Sequence, residues 1–383
     1  MFENMLDDPQ TAATLFEMVE PSLPPPTAVI RELTPVPGMP RWTLRTEAGT
    51  YRLKMAGDVG TAAQLARGAA MLDSLPPLLA RALTTRGGVP QVPLPRRLEL
   101  NLNETDLSVA VEERLGTGDA RAFWPTLSTR MRCAVAKASA RMLLTLHAVP
   151  LGDVRAFRTV GTGWAEFRHA SSTASYEYGI PPPGAPAPPP APPSAHPSAQ
   201  PAKPDPAPRT ERPPRPWREV VCGRIERRVA ALRGDGVLDS GLLARVEERL
   251  RTAAAALPVD LERRPCHGAF GLESVALSRK KRNVEVIGLQ DFELACPGDP
   301  WMDVAYWLAS SGDPDGTAAH RFFETYRDGT TVPADLPARI DLYAGLTVLR
   351  AIAHLTPSFT DAGCSAIADV TESWVSTAPR AWI

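Results

Sequence analysis

The sequence has no CxxC pair, no apolar run near the ~18 residues that cross a membrane, and almost no net charge. Its five cysteines stand apart, at 133, 222, 266, 296 and 364. An odd count without close spacing argues against a zinc or disulfide framework and suggests reduced thiols in a cytoplasmic protein. The balance of 42 Lys and Arg against 43 Asp and Glu gives a formal net charge of −1. General polyanion binding needs a basic face, so no nucleic-acid partner is expected. The start, MFENMLDDPQ, is acidic and lacks the apolar stretch of a secretory signal. Neither a membrane partner nor a span is expected. Glutamate is absent from a whole stretch, with none between Glu47 and Glu99. What is present suffices for real cores: 44% of the 383 residues are hydrophobic.

Proline divides the chain. Seventeen of its 41 prolines lie between Pro181 and Pro216. Proline fixes φ and lacks a backbone donor, so this stretch cannot be helix or central strand. It reads as an extended or disordered tether reaching at most ~110 Å. Patterned sequence lies on both sides, so the tether interrupts a domain. The organisation expected is a β-rich lobe over 1–118, the first part of a helical lobe over 119–174, the Pro-rich insertion over 175–217, and the rest of the helical lobe over 218–383.

In the first lobe, Val29–Val36, Trp42–Arg45 and Thr50–Met55 read as strands, and Ala and Leu at helical spacing mark Ala62–Leu79 as a helix. Arg97–Leu102 and Leu107–Glu113 follow as strands, then Trp124–His147 as one long helix. After the tether, helices are expected at Arg218–Leu232, Gly241–Ala256, Trp301–Ala309, Ala318–Arg327, Pro337–Leu355 and Ala366–Ser376, with a strand at Val284–Leu289. Arg224, Arg228, Arg245 and Arg249 read as solvated helix surface, with a basic face as the alternative. Trp301, Tyr306 and Trp307 read as core aromatics.

Three pieces in Cys266–Leu308 carry a family pattern. They are His267-Gly268-Ala269 with Ser274, then Asp291-Phe292-Glu293 after an apolar strand, then Gly298-Asp299-Pro300 with Asp303-Val304-Ala305. In order and spacing the segment resembles the aminoglycoside phosphotransferase and maltokinase-like branch of the kinase fold, which carries HGD-x-x-x-x-N, D-x-[DE] and GDP-x-x-D. The resemblance extends more loosely to the β lobe, to VEERLGTG (Val111–Gly118) as the interlobe segment, and to LHAVP (Leu146–Pro150). It implies an α+β, bilobal, protein-kinase-like fold that uses ATP and Mg²⁺.

Phosphoryl transfer is mainly positioning and charge stabilisation. The resemblance places Lys54, in YRLKMA, at the nucleotide phosphates, and strand alternation puts it on the face opposite Leu53 and Met55. Glu112, in the interlobe segment, joins Lys54 as a nucleotide-binding residue. Asp291 takes the metal role, with Glu293 and Ser274 as further ligands, because Mg²⁺ favours hard oxygens. Asp299 and Asp303 read as braces of the loop and of the helix that follows. His267 reads as a loop brace, with base service as the alternative; Glu273 reads as surface, with the same alternative. Cys266 and Cys296 read as structural thiols.

The sequence also departs from the pattern. Ala269 stands where the family has its catalytic Asp, and Ser274 where it has Asn. The helix after Lys54 has no Glu to pair with it. The first turn of the β lobe, PVPGMPR, offers only Gly38 for a phosphate cradle. Two classes of function follow. One is an atypical phosphotransferase acting on a hydroxyl of a small molecule or of a peptide Ser/Thr, in the latter case as the kinase-like subunit of a dehydratase complex with a protein partner. The other is a pseudokinase that keeps the fold for nucleotide sensing or scaffolding.

Overall fold

The computed structural model describes residues 7–32, 39–82, 92, 95–102, 105–154, 215–235, 238–280, 283–313, 316–355, 371–372 and 374–376. The proline-rich stretch up to residue 214, and most of the helix expected at Ala366–Ser376, lie outside the described residues.

The chain opens with a helix the sequence reading did not mark, α1 (Pro9–Val19), whose first turn is capped by the Asp8 carboxylate. Five strands form one antiparallel sheet: β1 (Ala28–Glu32), β2 (Arg41–Arg45), β3 (Thr50–Ala56), β4 (Pro95–Leu102) and β5 (Thr105–Glu113), in the order β1-β2-β3-β5-β4. Helix α2 (Val59–Ala82) connects β3 to β4. Side chains alternate across the sheet. Trp42, Leu44, Leu53, Met55, Leu107, Val109 and Val111 pack under Ala12, Leu15 and Phe16 of α1. The intervening residues, among them Arg41, Thr43, Arg52, Lys54 and Glu112, therefore share the other face, and they too are buried.

A short strand β6 (Gly118–Asp119) and helix α3 (Ala120–Phe123) lead to α4 (Thr129–Ala148). The long helix expected from Trp124 thus starts later. Residues Trp124–Thr126 form a separate turn with Pro125 at its start, and the Ser128 side chain caps α4 by accepting from the Met131 N–H. Beyond the proline-rich stretch come α5 (Trp217–Asp235), α6 (Ser240–Ala255), β7 (Arg264–Cys266), β8 (Val275–Lys280), β9 (Asn283–Leu289), β10 (Cys296–Gly298), α7 (Trp301–Ser310), α8 (Thr317–Arg327) and α9 (Leu336–Leu355). β6, β8 and β9 form a three-stranded antiparallel sheet, and β7 pairs with β10. One large core joins these helices, built on Trp217, Val246, Leu250, Phe270, Trp307, Phe322 and Tyr343. The fold is α+β and bilobal, a β lobe against a helical lobe.

The arginines read as solvated surface are instead latched into the helical lobe. Arg249 pairs with Asp341, and its guanidinium lies 4.6 Å from the ring centroid of Trp374. Arg228 donates to the Leu346 carbonyl, Arg224 lies over Trp217, and only the Arg245–Glu372 pair is exposed. No basic face results. Trp301 and Trp307 are core residues as expected, but Tyr306 is only partly buried; its hydroxyl donates to Glu273.

Candidate functional site

Strand register builds the site. Glu32 stands opposite Arg41, and Arg41 opposite Lys54, on three successive strands. In the next row Thr43 stands opposite Arg52, and Arg52 opposite Glu112. Directly opposed residues project to the same side of a sheet. A block of alternating charge therefore covers the cleft face.

Asp291 meets this block from the helical lobe. It follows β9, and its backbone turns sharply, with φ 68°, the one positive φ among described non-glycine residues. Its two oxygens accept from Arg41 Nη1 at 2.9 Å and Arg52 Nη1 at 3.0 Å. Lys54 Nζ lies 3.2 Å from Asp291 Oδ1, 2.9 Å from each oxygen of Glu112, and against Glu293. Glu32 accepts from Arg52 Nε at 3.1 Å and pairs with Arg41 by charge, 2.8 Å from its Nε. The structure thus brings Lys54, Glu112, Asp291 and Glu293 together as one buried cluster.

The electrostatics follow from burial and crowding. Burial alone would raise the Asp291 carboxyl; Arg41, Arg52 and Lys54 together outweigh it and hold the group well below the usual carboxylate range. Glu32 is lowered likewise, burial being overcome by Arg52 and Arg41. Burial would lower Lys54, yet Glu112, Glu293 and Asp291 push it up and keep it charged. Three carboxylates crowd this one ammonium. Glu112 is pushed up, by burial first and then by its acidic neighbours. Arg52 Nη2 is a buried donor with no hydrogen-bond partner among the described residues.

The missing helix glutamate has a steric counterpart. Gly68 of α2 lies where a Cβ would come 3.1 Å from the Glu293 backbone. The helix therefore approaches the Asp291 segment with bare backbone, and the partner of Lys54 comes from β5 and the Asp291 turn instead.

The loop after β7 is held by its own frame. Asp303 accepts from the His267 N–H at 2.7 Å and the Gly268 N–H at 2.8 Å, and His147 Nε2 lies 3.1 Å away. Gly268 has φ 83°, and a Cβ there would sit 2.0 Å from the Leu294 oxygen, so only glycine fits. Asp299 accepts from Arg339 at 2.8 Å, the Tyr343 hydroxyl at 2.9 Å and the Trp301 N–H at 3.1 Å. Both acids brace, as the sequence reading has them. His267 Nε2 lies 2.8 Å from the Gln290 carbonyl and so donates to it. Nδ1 is buried and without a hydrogen-bond partner among the described residues. Ser274 Oγ donates to the Ala269 carbonyl at 2.9 Å, closing the loop on itself. Glu273, read as surface, folds back to the Tyr306 hydroxyl at 3.2 Å and Arg121 at 3.2 Å. Cys266 is buried and its thiol is pushed well up by burial, which suits a structural group.

The sequence reading missed Arg41, Arg52 and Glu32. The signal was available for one of them: Arg52 precedes Lys54 by two residues on the same strand and so shares its face. Arg41 and Glu32 needed the cross-strand register.

The profile of the phosphotransferase enzyme family matches residues 39–339. The chain belongs to this family. Among solved structures, this phosphotransferase-family chain is similar to an aminoglycoside 2'-phosphotransferase in complex with GDP, at 12% identity and TM-score 0.59, covering 96% of this chain and 98% of that one. It is similar to an aminoglycoside phosphotransferase solved with ADP and hygromycin B, at 14% identity and TM-score 0.51, covering 96% and 97%. It is also similar to a protein described as a fructosamine-3-kinase from Haemophilus somnus, at 12% identity and TM-score 0.51, covering 94% and 96%. At these identities the likeness carries the fold alone. No curated protein matches the sequence.

The donor set of the cleft fits a hard cation and a polyphosphate in kind. Asp291 and Glu293 offer carboxylate oxygens of the sort Mg²⁺ takes, and the orphaned Arg52 donor suits a phosphate oxygen. Each oxygen of Asp291 already accepts from a guanidinium.

Proposed function

We propose that this family member is an atypical phosphotransferase that uses ATP with Mg²⁺ and acts on a hydroxyl acceptor. The observation that carries the reading is the convergence of Lys54, Asp291 and Glu293 in one buried cluster between the lobes. Bound Mg²⁺ would supply charge neutralisation at the transferring phosphoryl group. Lys54 holds the phosphates as a point charge, and Asp291 and Glu293 are the acidic groups placed to hold the metal. Asp303 and Asp299 fix the loops that set the acceptor's approach. Ala269 can neither receive nor orient the acceptor proton. A loose transition state leans on charge and position more than on a base, so loss of the base slows transfer by ~10²–10⁴-fold without abolishing it. A small-molecule acceptor is favoured over a peptide, since the acceptor-type ligand bound by a similar protein is hygromycin B.

A second reading is a pseudokinase that senses nucleotide without transfer. It is favoured by Ala269 and by the two guanidiniums that occupy both oxygens of Asp291. Labelled ATP with Mg²⁺, incubated with the full chain and a panel of aminoglycosides, sugars and Ser/Thr peptides, separates the two. Transfer abolished by Lys54→Met supports the enzyme. Nucleotide binding with no transfer to water or to any acceptor supports the pseudokinase. Absence of both binding and transfer defeats both.

A further inference from the structure

The glycine-poor first turn and the arginine pair belong together. Backbone N–H groups of a glycine-rich turn form a phosphate cradle in many nucleotide sites, and here the turn between β1 and β2 contains a single glycine, Gly38. On the cleft face of β2 and β3 stand two buried guanidiniums, Arg41 and Arg52, that most strand faces would not tolerate. Each spans an acid of its own lobe, Glu32, and an acid of the other, Asp291. Arg52 has a further buried N–H group with no partner among the described residues. A guanidinium presents five donors in a planar fork that matches phosphate as well as carboxylate.

We infer that Arg41 and Arg52 are the chain's polyphosphate ligands, replacing the glycine cradle, and that in the ligand-free protein they latch the metal carboxylate Asp291. The inference rests on the nucleotide reading of the cleft and extends it to residues and an order of events. An incoming polyphosphate competes with Asp291 for the two guanidiniums and also satisfies the orphaned Arg52 donor. The exchange frees both oxygens of Asp291, which then accept a divalent cation. Phosphate and metal therefore bind with positive coupling, because each occupies what the other has released. A polyphosphate binds without metal; a metal does not bind without polyphosphate. A purely structural ion-pair network predicts none of this ordering.

The test uses the full chain. ATP and tripolyphosphate are titrated calorimetrically in EDTA, and Mn²⁺ is titrated by its electron paramagnetic resonance signal with and without tripolyphosphate. The expected wild-type result is binding of both phosphates in EDTA, and Mn²⁺ binding only when tripolyphosphate is present. Arg52→Lys weakens both phosphates by on the order of 10–100-fold through loss of charge-assisted hydrogen bonds. Arg41→Gln weakens them and lets Mn²⁺ bind alone, a gain that added Asp291→Asn removes. Circular dichroism melts confirm that each variant is folded, and Arg52→Lys keeps the charge should Arg41→Gln fail to fold. If wild type binds ATP and the folded Arg variants bind it equally well, the inference falls and the nucleotide reading stands. Mn²⁺ binding to wild type without phosphate, lost in Asp291→Asn, also overturns the inference. If wild type binds neither ATP nor tripolyphosphate, the nucleotide reading falls and takes the inference with it.

Discussion

Asp291 and Asp303 lie twelve residues apart in one motif segment, and both are fully buried, yet they are stabilised in opposite ways. Asp303 is held by two backbone N–H groups and a histidine of its own lobe. Asp291 is held by three side-chain cations of the opposite lobe, from strands more than 200 residues away in the chain. Backbone donors aimed by the fold cannot be exchanged without rearranging it, so Asp303 is scaffold. Cations on long side chains can be captured by another anion, so the Asp291 cluster is the exchangeable part. One family segment thus separates structure from chemistry by the kind of partner each acid is given.

The contrast is broken or sharpened most strongly by replacing each acid. Asp291→Ala leaves three buried cations under-compensated, a change that costs about 3–5 kcal/mol when one partner of a buried pair is removed. Tripolyphosphate should return much of that loss, because it supplies the missing negative charge to the same cations. Asp303→Asn should cost about 2 kcal/mol, since one buried N–H group loses its acceptor, and tripolyphosphate should return none of it. Thermal melts of the two variants with and without tripolyphosphate provide the check. Equal rescue of both, or of neither, would remove the distinction between them.

A smaller effect is expected from pH. A carboxylate whose folded pKa lies below its ordinary value stabilises the fold above that value and loses the contribution as pH falls through the folded one. Asp291 and Glu32 both behave so. Glu112 has the opposite sign: its raised folded pKa means that the folded state takes up a proton first, so its protonation favours the fold as pH drops. Chemical denaturation between pH 7 and pH 3 should therefore show stability holding or rising slightly at first, then falling below about pH 4, where unfolded carboxylates also titrate. Glu112→Gln should abolish the rise and leave the fall. A monotonic decline in wild type from pH 7 would mean that Glu112 carries no raised pKa.

How much of this was legible depends on the range of the interaction. Alternation in YRLKMA put Lys54 on the cleft face, and an apolar strand ending in an acid marked Asp291, because both signals are local. The absence of a helix glutamate was equally plain from composition. Its replacement was not, since Glu112 faces Lys54 only through the pairing of β3 with β5. The same holds for Glu32 and Arg41, whose roles depend on register across three strands. Arg224, Arg228 and Arg249 look like helix surface by spacing, and their acceptors and aromatic partners come from distant elements. The start of α4 was a local matter that the apolar period obscured; Pro125 and the capping Ser128 place it.

The smallest expected effect tests the boundary between the two kinds of region. Gly68 lets α2 touch the Asp291 turn, and a Cβ at that position comes 3.1 Å from the Glu293 Cα and nitrogen. Alanine is intrinsically better than glycine inside a helix by about 1 kcal/mol, while crowding a packed contact costs about 1–3 kcal/mol. The two nearly offset, so Gly68→Ala should shift the melting temperature little. The displaced atoms, however, carry Glu293 and adjoin Asp291, on which Lys54 converges. The variant should therefore weaken Mg²⁺-dependent ATP binding several-fold while leaving metal-free tripolyphosphate binding near the wild-type value, because Arg41 and Arg52 stand on the other lobe. Calorimetric titration of the variant with each ligand measures both arms. Equal loss in both would mean that the Asp291 turn and the arginine pair move as one unit, and that the cleft has no separable metal and phosphate halves.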